Sequence, residues 1–475
     1  TCTAAVAAPR LPPKTTLACS GDNDTSQCVL QNVGFAANTF LFYSDHHPPD
    51  PPRPVLPFVP SSYRHRCCLQ DIPSFQIQTR PLSEQCGANN TIDTTTLMIG
   101  GLLQYGHFLH DMVLSLFSTL QSALHRANSS SGSNGSNGSN GINGSNGTNN
   151  MVEQLKQHNV QIIITNEHLD EQELLMHPLY VLMTTLISRH KIWLLNDFKQ
   201  QRAREKRFCF KHLLYGTAPT TNLYSTSTET GAAALSTRHL HAFTRQIHVS
   251  FGGAELIPPP SLSTTDTTTT ATTTTTTTGP PPPPTPTLHV VTRLQAASRR
   301  ILNLHQVMET ASAIFTDQAV TYGDIQGTFA EQYAAFQNMD VLCAVHGTAL
   351  LNALFLPREA VVVMVMPYGT RGWMGRNMKR AAGLYEERTV LVLEQKSSQS
   401  SLYNVNLVDD KGQALVGEAL TKNLMELVQD PDKVWEKNWM HGFALFVNVE
   451  GVYVEIEALA VLLREGFRVV SGRYR

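Results

Sequence analysis

The sequence predicts an α/β protein in which two domains each contain a parallel β-sheet flanked by helices. Short apolar runs alternate with helical patterns along the chain, which is typical of parallel strands joined by crossover helices. This alternation occurs both before and after a Thr/Pro-rich tract at residues 257–287. A chain of 475 residues is also too long for one ordinary hydrophobic core. We therefore expect two such domains facing across a cleft.

The elements before the tract follow from the period of their apolar residues. A run of Val and Ile predicts a buried strand at 160–165, and a helical pattern follows at 171–189. Two further apolar runs predict strands at 192–195 and 211–215.

After the tract the same alternation continues with shorter connections. Strands are predicted at 288–292, 319–322, 341–345 and 360–366. Helices are predicted at 300–313, 329–337 and 349–355.

Low-complexity segments set the predicted domain boundaries. Residues 128–150 form a Ser/Asn/Gly string that cannot bury surface, so a disordered insertion is expected there. The poly-Thr and poly-Pro run predicts an extended linker. The expected division is therefore an N-terminal domain at 1–216, a linker at 217–287, a second domain at 288–400, and a C-terminal segment at 401–475 that completes the fold.

Charge and cysteine usage restrict the classes of function. A net charge of −2 gives no basic face for nucleic acid, so no nucleic-acid partner is expected. Most of the eight cysteines lie in the first hundred residues, which indicates disulfides in an oxidising compartment, with Cys19–Cys28 closing a short loop as one candidate pair. Buried free thiols would account for the same cysteines. No apolar run is long enough to span a bilayer, so membrane attachment is expected only through an N-terminal anchor that precedes Thr1.

The residues with the clearest chemical meaning follow the predicted strand at 341–345. That strand ends at His346-Gly347, and a helix is expected to begin at once. Ligands of parallel sheets bind beyond the carboxyl ends of strands, where helix N-termini present unpaired N–H groups. A diphosphate at this turn would meet the helix start, the Thr348 hydroxyl and the His346 imidazole. An ordinary strand-to-helix junction, with the imidazole bonded to backbone, would give the same pattern.

An ordered set of motifs along the chain resembles one enzyme family. The set comprises the Cys19–Cys28 opening with residues 33–43, the stretch from Tyr105 through His107 and Asp111 to Phe117, Arg207-Phe-Cys-Phe-Lys211, Val291-Thr-Arg293 with Arg299, Arg300 and residues 301–303, residues 339–357, Pro367 to Trp373, Gly383 to Tyr385, Ser400 to Leu402, and residues 448–456. Each match is weak, but their order along nearly the whole chain is specific. The set resembles the plant-type branch of glycosyltransferase family 61.

The resemblance implies a GT-B fold of two Rossmann-like domains, with the donor held mainly by the second. It also implies inversion at the anomeric carbon with no metal and no other cofactor, so the charge of the leaving diphosphate must be neutralised by fixed protein donors. Arg293, Arg299 and Arg300 offer guanidinium groups suited to phosphate oxygens. A solvated basic helix start would account for the same arginines. By the same resemblance Gly347, Ala349 and Asn352 belong to the donor site.

Inverting transfer also needs a base for the acceptor hydroxyl. His107 and Asp111 lie four residues apart on one face of a predicted helix. We expect Asp111 to act as the base and His107 to orient it or the acceptor. The reverse assignment is open, as is a plain capping role for Asp111 at the helix start.

The family resemblance implies a UDP-sugar donor, with UDP-xylose favoured over UDP-arabinose and UDP-N-acetylglucosamine. The acceptor would be a glycan on a glycoprotein or a polysaccharide, in the lumen of the Golgi or endoplasmic reticulum. Two departures from the family pattern, Ala349 and Leu351, leave a catalytically inactive glycan-binding protein as an alternative. An added Cβ at Ala349 would crowd the diphosphate.

Overall fold

The chain forms two compact units, Thr1–Gln246 and Ile247–Arg475, in a computed structural model. Within the part of the chain that the structure describes, no helix is long and apolar enough to cross a membrane. The described residues are 14–20, 27–36, 39–44, 76–86, 90–99, 108–121, 157, 159–165, 169–202, 207–216, 237–251, 285–293, 298–316, 319–370, 378–379, 381–382, 388–403, 430 and 449–473.

The first unit contains a nine-stranded sheet of mixed direction. Its strands are β1 (Thr16–Ser20), β2 (Gln27–Ala36), β3 (Thr39–Ser44), β4 (Gln76–Pro81), β5 (Thr91–Ile92), β6 (Thr95–Ile99), β7 (Val160–Ile164), β8 (Ile192–Leu194) and β9 (Phe208–Tyr215). The order is β4-β3-β2-β9-β6-β7-β8, with β1 paired to β2 and β5 paired to β9. Strands β9, β6, β7 and β8 are parallel as expected. The antiparallel strands β1, β2 and β3 extend this sheet, because the two-residue connection from β2 to β3 permits only a hairpin.

The helices of the first unit differ from expectation at residues 171–189. They are a π-helix at Phe108–Leu114 that continues as α-helix through residue 121, followed by α1 (Glu171–Met176), α2 (Tyr180–Leu186) and α3 (Leu195–Gln201). A further helix, α4 (Thr237–Phe251), begins in the first unit and ends in the second. The single helix predicted at 171–189 is two helices, because Pro178 lies between them.

Helix α4 occupies part of the segment 217–287 that the sequence assigns to a linker. Leu240, Phe243 and Ile247 are buried on one of its faces, at the spacing of an amphipathic helix. The rest of that segment up to residue 284 lies outside the described residues.

Disulfide bonding occurs in the first unit, as the cysteine distribution indicates. Cys86 is bonded to Cys209 of β9, across a separation of 123 residues. Cys28 is also disulfide-bonded, and its Cα partner across the β1–β2 pair is Cys19, whose side chain lies outside the described residues. Cys343, in the second unit, is a buried free thiol.

The second unit contains a five-stranded parallel sheet and a three-stranded sheet. Its strands are β10 (Leu288–Val291), β11 (Arg300–Ile301), β12 (Val320–Gly323), β13 (Val341–Val345), β14 (Val361–Met366), β15 (Val390–Glu394), β16 (Ser401–Tyr403) and β17 (Val449–Val452). The larger sheet has the order β12-β10-β13-β14-β15, and the smaller has the order β11-β17-β16. Every neighbouring pair in the larger sheet is parallel. The expectation of a parallel sheet after the Thr/Pro tract is confirmed.

Helices cover this sheet and bury its apolar strands. They are α5 (Leu304–Phe315), α6 (Phe329–Gln337), a 3₁₀-helix at Thr348–Phe355 and α7 (Ile456–Ser471). Helix α7 contributes Leu459, Leu463 and Val470 to the same core as Val341 and Val361. The helix predicted at 300–313 begins only at Leu304, since residues 300–301 pair with β17 instead.

Candidate active site

The topology of the larger sheet in the second unit defines one place for a ligand. From β10 the chain moves outward to β12 and then returns to β13 on the opposite side of β10. Strand order therefore reverses between β10 and β13, and in open parallel sheets ligands bind beyond the carboxyl ends of strands at such a switch point. Thr292 and Arg293 follow β10, and His346 and Gly347 follow β13.

Two arginine side chains lie against Gly347 at this switch point. A Cβ built on Gly347 would lie 2.8 Å from Nη1 of Arg293 and 3.2 Å from Nη1 of Arg299. The backbone of Arg299 is held by its N–H, which donates to Val449 O at 2.8 Å, just before β11 pairs with β17. A glycine is thus needed where two guanidinium groups approach the end of β13.

Burial makes this an electrostatically unusual cluster. Arg299 is 9% exposed, and desolvation together with the neighbouring Arg293 lowers its pKa to about 10. Desolvation also lowers the pKa of Arg293, against the opposing effect of Asp324. Nη1 of Arg293 and Oγ1 of Thr292 are buried with no hydrogen-bond partner among the described residues. Because buried charges require compensation, the cluster is suited to an anion with several oxygen acceptors.

The helix that begins at Gly347 adds backbone donors. The 3₁₀-helix Thr348–Phe355 starts with a bond from Leu350 N–H to Gly347 O at 2.9 Å. The first N–H groups of a helix have no partner within it and attract anions. His346 is 2% exposed, and its N–H donates to Val365 O at 2.8 Å. The backbone of His346 is therefore fixed beside the helix start, and its side chain is buried there.

The opposite end of the 3₁₀-helix is held by a buried guanidinium. Arg388 is 4% exposed and donates to the carbonyl oxygens of Ala353, Leu356, Pro357 and Ala382. Desolvation lowers its pKa to about 10. A cation at a helix C-terminus satisfies orphan carbonyls and complements the helix dipole. Arg388 therefore fixes the position of the helix that starts at the candidate site.

Comparison with known proteins identifies the chain's relatives. The family model Glycosyltransferase 61 matches residues 105–363, which is more than half of the chain. The chain belongs to glycosyltransferase family 61. The family resemblance seen in the sequence is thereby confirmed, and the matched range includes both the residues around His107 and the Gly347 cluster.

Named relatives of this family 61 chain are plant and animal glycosyltransferases. The chain is 39% identical over 93 residues to a β-1,2-xylosyltransferase from Oryza sativa subsp. japonica, covering 19% of this chain and 16% of that protein. It is 23% identical over 186 residues to a xylan glycosyltransferase from Arabidopsis thaliana, covering 38% and 33%. It is 32% identical over 80 residues to protein O-linked-mannose β-1,4-N-acetylglucosaminyltransferase 2 from Mus musculus, covering 17% and 14%. The matches thus span a third or less of each of these relatives.

The other residues predicted to bind the donor lie in two different elements of the structure. Arg300 lies in β11, where its Nη2 donates to Glu450 Oε1 at 2.9 Å. Its guanidinium thus has a carboxylate partner in the three-stranded sheet. Ala349 and Asn352 are half-buried in the 3₁₀-helix. The backbone of Thr348 begins that helix, and its side chain lies outside the described residues.

The predicted catalytic pair is described only in part. His107 lies outside the described residues, and Asp111 belongs to the π-helix Phe108–Leu114, with its side chain also outside them. The expected helix is confirmed from Phe108 onward. Short π-helical turns occur frequently at functional sites. Asp111 as base and His107 as its partner stay predictions.

Sequence reasoning missed several residues of the site. Asp324 and Arg388 lie in no motif, and each acts on groups distant in sequence. Thr292 lies within the motif Val291-Thr-Arg293, but the sequence assigned it no role. The position of Thr292 and Asp324 just past β10 and β12 was the available signal, because side chains there share one sheet edge. Among the residues that the structure describes, no group of three or more His, Cys, Asp or Glu side chains is placed to hold a metal ion.

Proposed function

We propose that this chain is an inverting glycosyltransferase with a GT-B fold that transfers a sugar from a UDP-sugar to a glycan hydroxyl without a metal. The observation that carries the proposal is the contact of Arg293 and Arg299 with Gly347 at the switch point. A diphosphate is the anion that this cluster fits best, because it presents several oxygens to two guanidinium forks and a helix start together.

The chemistry follows from where charge develops during transfer. The acceptor oxygen attacks the anomeric carbon, the bond from that carbon to the β-phosphate oxygen breaks, and the electron pair leaves with the diphosphate. Arg293, Arg299 and the helix N–H groups stabilise that negative charge in the transition state. Asp111 accepts the proton of the acceptor hydroxyl, with His107 orienting it. Fixed cationic groups can provide the neutralisation that a divalent ion provides elsewhere, which supports metal independence.

The donor and acceptor are proposed from the relatives. Relatives named xylosyltransferases and a xylan glycosyltransferase favour UDP-xylose and a xylan or glycoprotein glycan. Relatives named α-1,3-arabinosyltransferases and O-linked-mannose N-acetylglucosaminyltransferases make UDP-arabinose and UDP-N-acetylglucosamine the alternatives. The disulfides support residence in the lumen of the secretory pathway.

The test is donor-dependent release of UDP by the purified chain. A panel of UDP-xylose, UDP-arabinose and UDP-N-acetylglucosamine is offered with xylan oligosaccharides or N-glycan glycopeptides, in EDTA. We expect turnover with one pentose donor, and its loss in Arg293→Met but not in Arg468→Met, which changes a surface arginine. Strict dependence on Mn²⁺ would contradict the mechanism.

Calorimetry with UDP separates the inactive alternative from the enzyme. A glycan-binding protein that has lost its donor site would release no heat with UDP. The enzyme binds UDP, and the same titration with Arg293→Met shows whether binding depends on the cluster.

A further inference from the structure

A second polar cluster lies along the same sheet edge, at the carboxyl ends of β14 and β15. Gln395 follows β15, and its N–H donates to Met366 O at 3.0 Å, which holds it beside the end of β14. The chain then turns at Pro367–Thr370, where Thr370 N–H donates to Pro367 O at 3.1 Å and Gly369 has a φ of 77°. Only glycine adopts that φ at low cost, so the turn is fixed by sequence.

The turn is tied to the neighbouring sheet as well. Tyr368 N–H donates to Ser401 Oγ at 3.0 Å, at the start of β16. Three backbone N–H groups thus hold this edge rigidly around the side chains of Gln395 and Thr370. A rigid framework is what a site needs to present polar groups in a fixed geometry.

Polar side-chain atoms of this cluster are buried without hydrogen-bond partners among the described residues. Gln395 is 3% exposed and Thr370 is 4% exposed. Neither Oε1 nor Nε2 of Gln395, nor Oγ1 of Thr370, has a hydrogen-bond partner within the described ranges. Native proteins rarely leave buried polar groups without partners, so each such group calls for an explanation. A bound polar ligand would provide the missing partners.

The position of the cluster relates it to the diphosphate site. Strands β13, β14 and β15 are successive neighbours in one parallel sheet. Two strand spacings separate the end of β13 at Gly347 from Gln395, which is about 10 Å. A nucleoside attached to a diphosphate at Gly347 therefore reaches the cluster with the edge of its base.

We propose that Gln395, together with the Thr370 hydroxyl, binds the base of the donor nucleotide and selects uracil. This inference rests on the proposed function, since it assumes that the diphosphate lies at Gly347. The side-chain carboxamide of glutamine presents an N–H donor and a carbonyl acceptor side by side. Uracil presents a matching O4 acceptor and N3–H donor on one edge, and protein amides commonly bind bases along that edge.

The experiment compares ligands with and without the base on the full chain. Calorimetry measures the affinity of UDP, ADP and inorganic pyrophosphate for the wild type, Gln395→Met and Gln399→Met. Gln399 is an exposed glutamine four residues further along, so its substitution is the matched control. We expect Gln395→Met to weaken UDP binding about 10- to 100-fold, as loss of buried amide hydrogen bonds does. Pyrophosphate affinity should change less than about twofold, and the wild type should prefer UDP to ADP by about tenfold or more.

Three results would overturn the inference. UDP affinity unchanged in Gln395→Met would show that the amide does not bind the base. An equal loss of UDP and pyrophosphate affinity would place the effect at the phosphates, and equal affinity for UDP and ADP would exclude base selection. In each case wild-type binding of UDP leaves the proposed function intact. Failure of the wild type to bind either UDP or pyrophosphate would instead overturn the proposed function, and the base site with it.

Discussion

Substitution of Gly347 by alanine tests the diphosphate site most directly. The added Cβ would lie 2.8 Å from Nη1 of Arg293, whereas ordinary contacts of a Cβ begin at 3.4 Å. The guanidinium of Arg293 must therefore move away by about 0.6 Å, and that of Arg299 by a few tenths of an ångström. A shift of that size takes a hydrogen bond to phosphate from ideal to beyond its useful range.

The magnitude follows from the bond that is lost. A hydrogen bond to a charged group contributes about 1.5–3 kcal/mol, so Gly347→Ala should weaken binding of UDP and of pyrophosphate about 10- to 150-fold. The effect on folding is separate, because the atoms that must move are ends of side chains. The backbone conformation at Gly347, with φ at 159° and ψ at −176°, adds strain of about 1–3 kcal/mol to the folded state. Titration calorimetry on folded protein measures the first effect without the second.

Gly323→Ala is the matched control. Gly323 ends β12 with a φ of 139°, but a Cβ built on it meets nothing within 4 Å. This variant should share the backbone strain and melt at lower temperature, while binding UDP as the wild type does. The reasoning is refuted if Gly347→Ala binds pyrophosphate with wild-type affinity, or if Gly323→Ala loses affinity to the same extent.

Three further predictions concern charge and burial. Arg299→Met should weaken UDP binding in calorimetry about tenfold or more, because it removes one of the two guanidinium groups that lie against Gly347; unchanged affinity would contradict a role for Arg299 in the site. Arg388→Met should lower the free energy of unfolding by about 3 kcal/mol and the melting temperature by about 6–12 °C, because buried carbonyl groups lose their hydrogen-bond donor. The exposed control Arg468→Met should shift the melting temperature by about 2 °C or less. Equal shifts in the two variants would contradict the role of Arg388. Burial lowers the pKa of His212, so the unfolded chain binds more protons, and stability falls as pH drops below about 6.5. The denaturant midpoint of His212→Leu should therefore fall less between about pH 8 and pH 5 than that of the exposed control His305→Gln. Equal slopes in the two variants would exclude His212 as the cause of the loss of stability at low pH.

The elements that sequence reasoning found are those whose signal is local. The apolar run at 341–345, followed at once by His346-Gly347, marks a buried strand and a turn without reference to any other part of the chain. The helix at 329–337 carries its own start signal in the Thr328–Glu331 capping box. Both were predictable for that reason.

Elements that depend on distant partners were not predictable. Residues 300–301 continue a helical pattern in sequence, but they form a strand because β17 lies alongside them. Strand β2, through which the antiparallel strands join the first sheet, likewise depends on pairing with β9. Tertiary context decides such segments, since local preference differs little between the alternatives.

The same distinction applies to the site. The family motifs indicated Arg293, Arg299 and Arg300 as one group of donor-binding residues. The fold shows that Arg293 and Arg299 lie against Gly347, whereas Arg300 forms an ion pair with Glu450. Arg388 and Gln395 are ordinary polar residues in sequence, and only their burial reveals them. A burial state is a property of the whole unit, so no local pattern reports it.

The bond between Arg299 N–H and Val449 O has a consequence for how the protein matures. A stretch of 150 residues separates the two groups, so the arginine gains its position only when the last part of the chain has been made. A chain still emerging from the ribosome can form its parallel sheet early, as domains do during synthesis. The proposed anion site is therefore complete only once strand β17 has formed, since Arg299 is one of the two arginines that lie against Gly347.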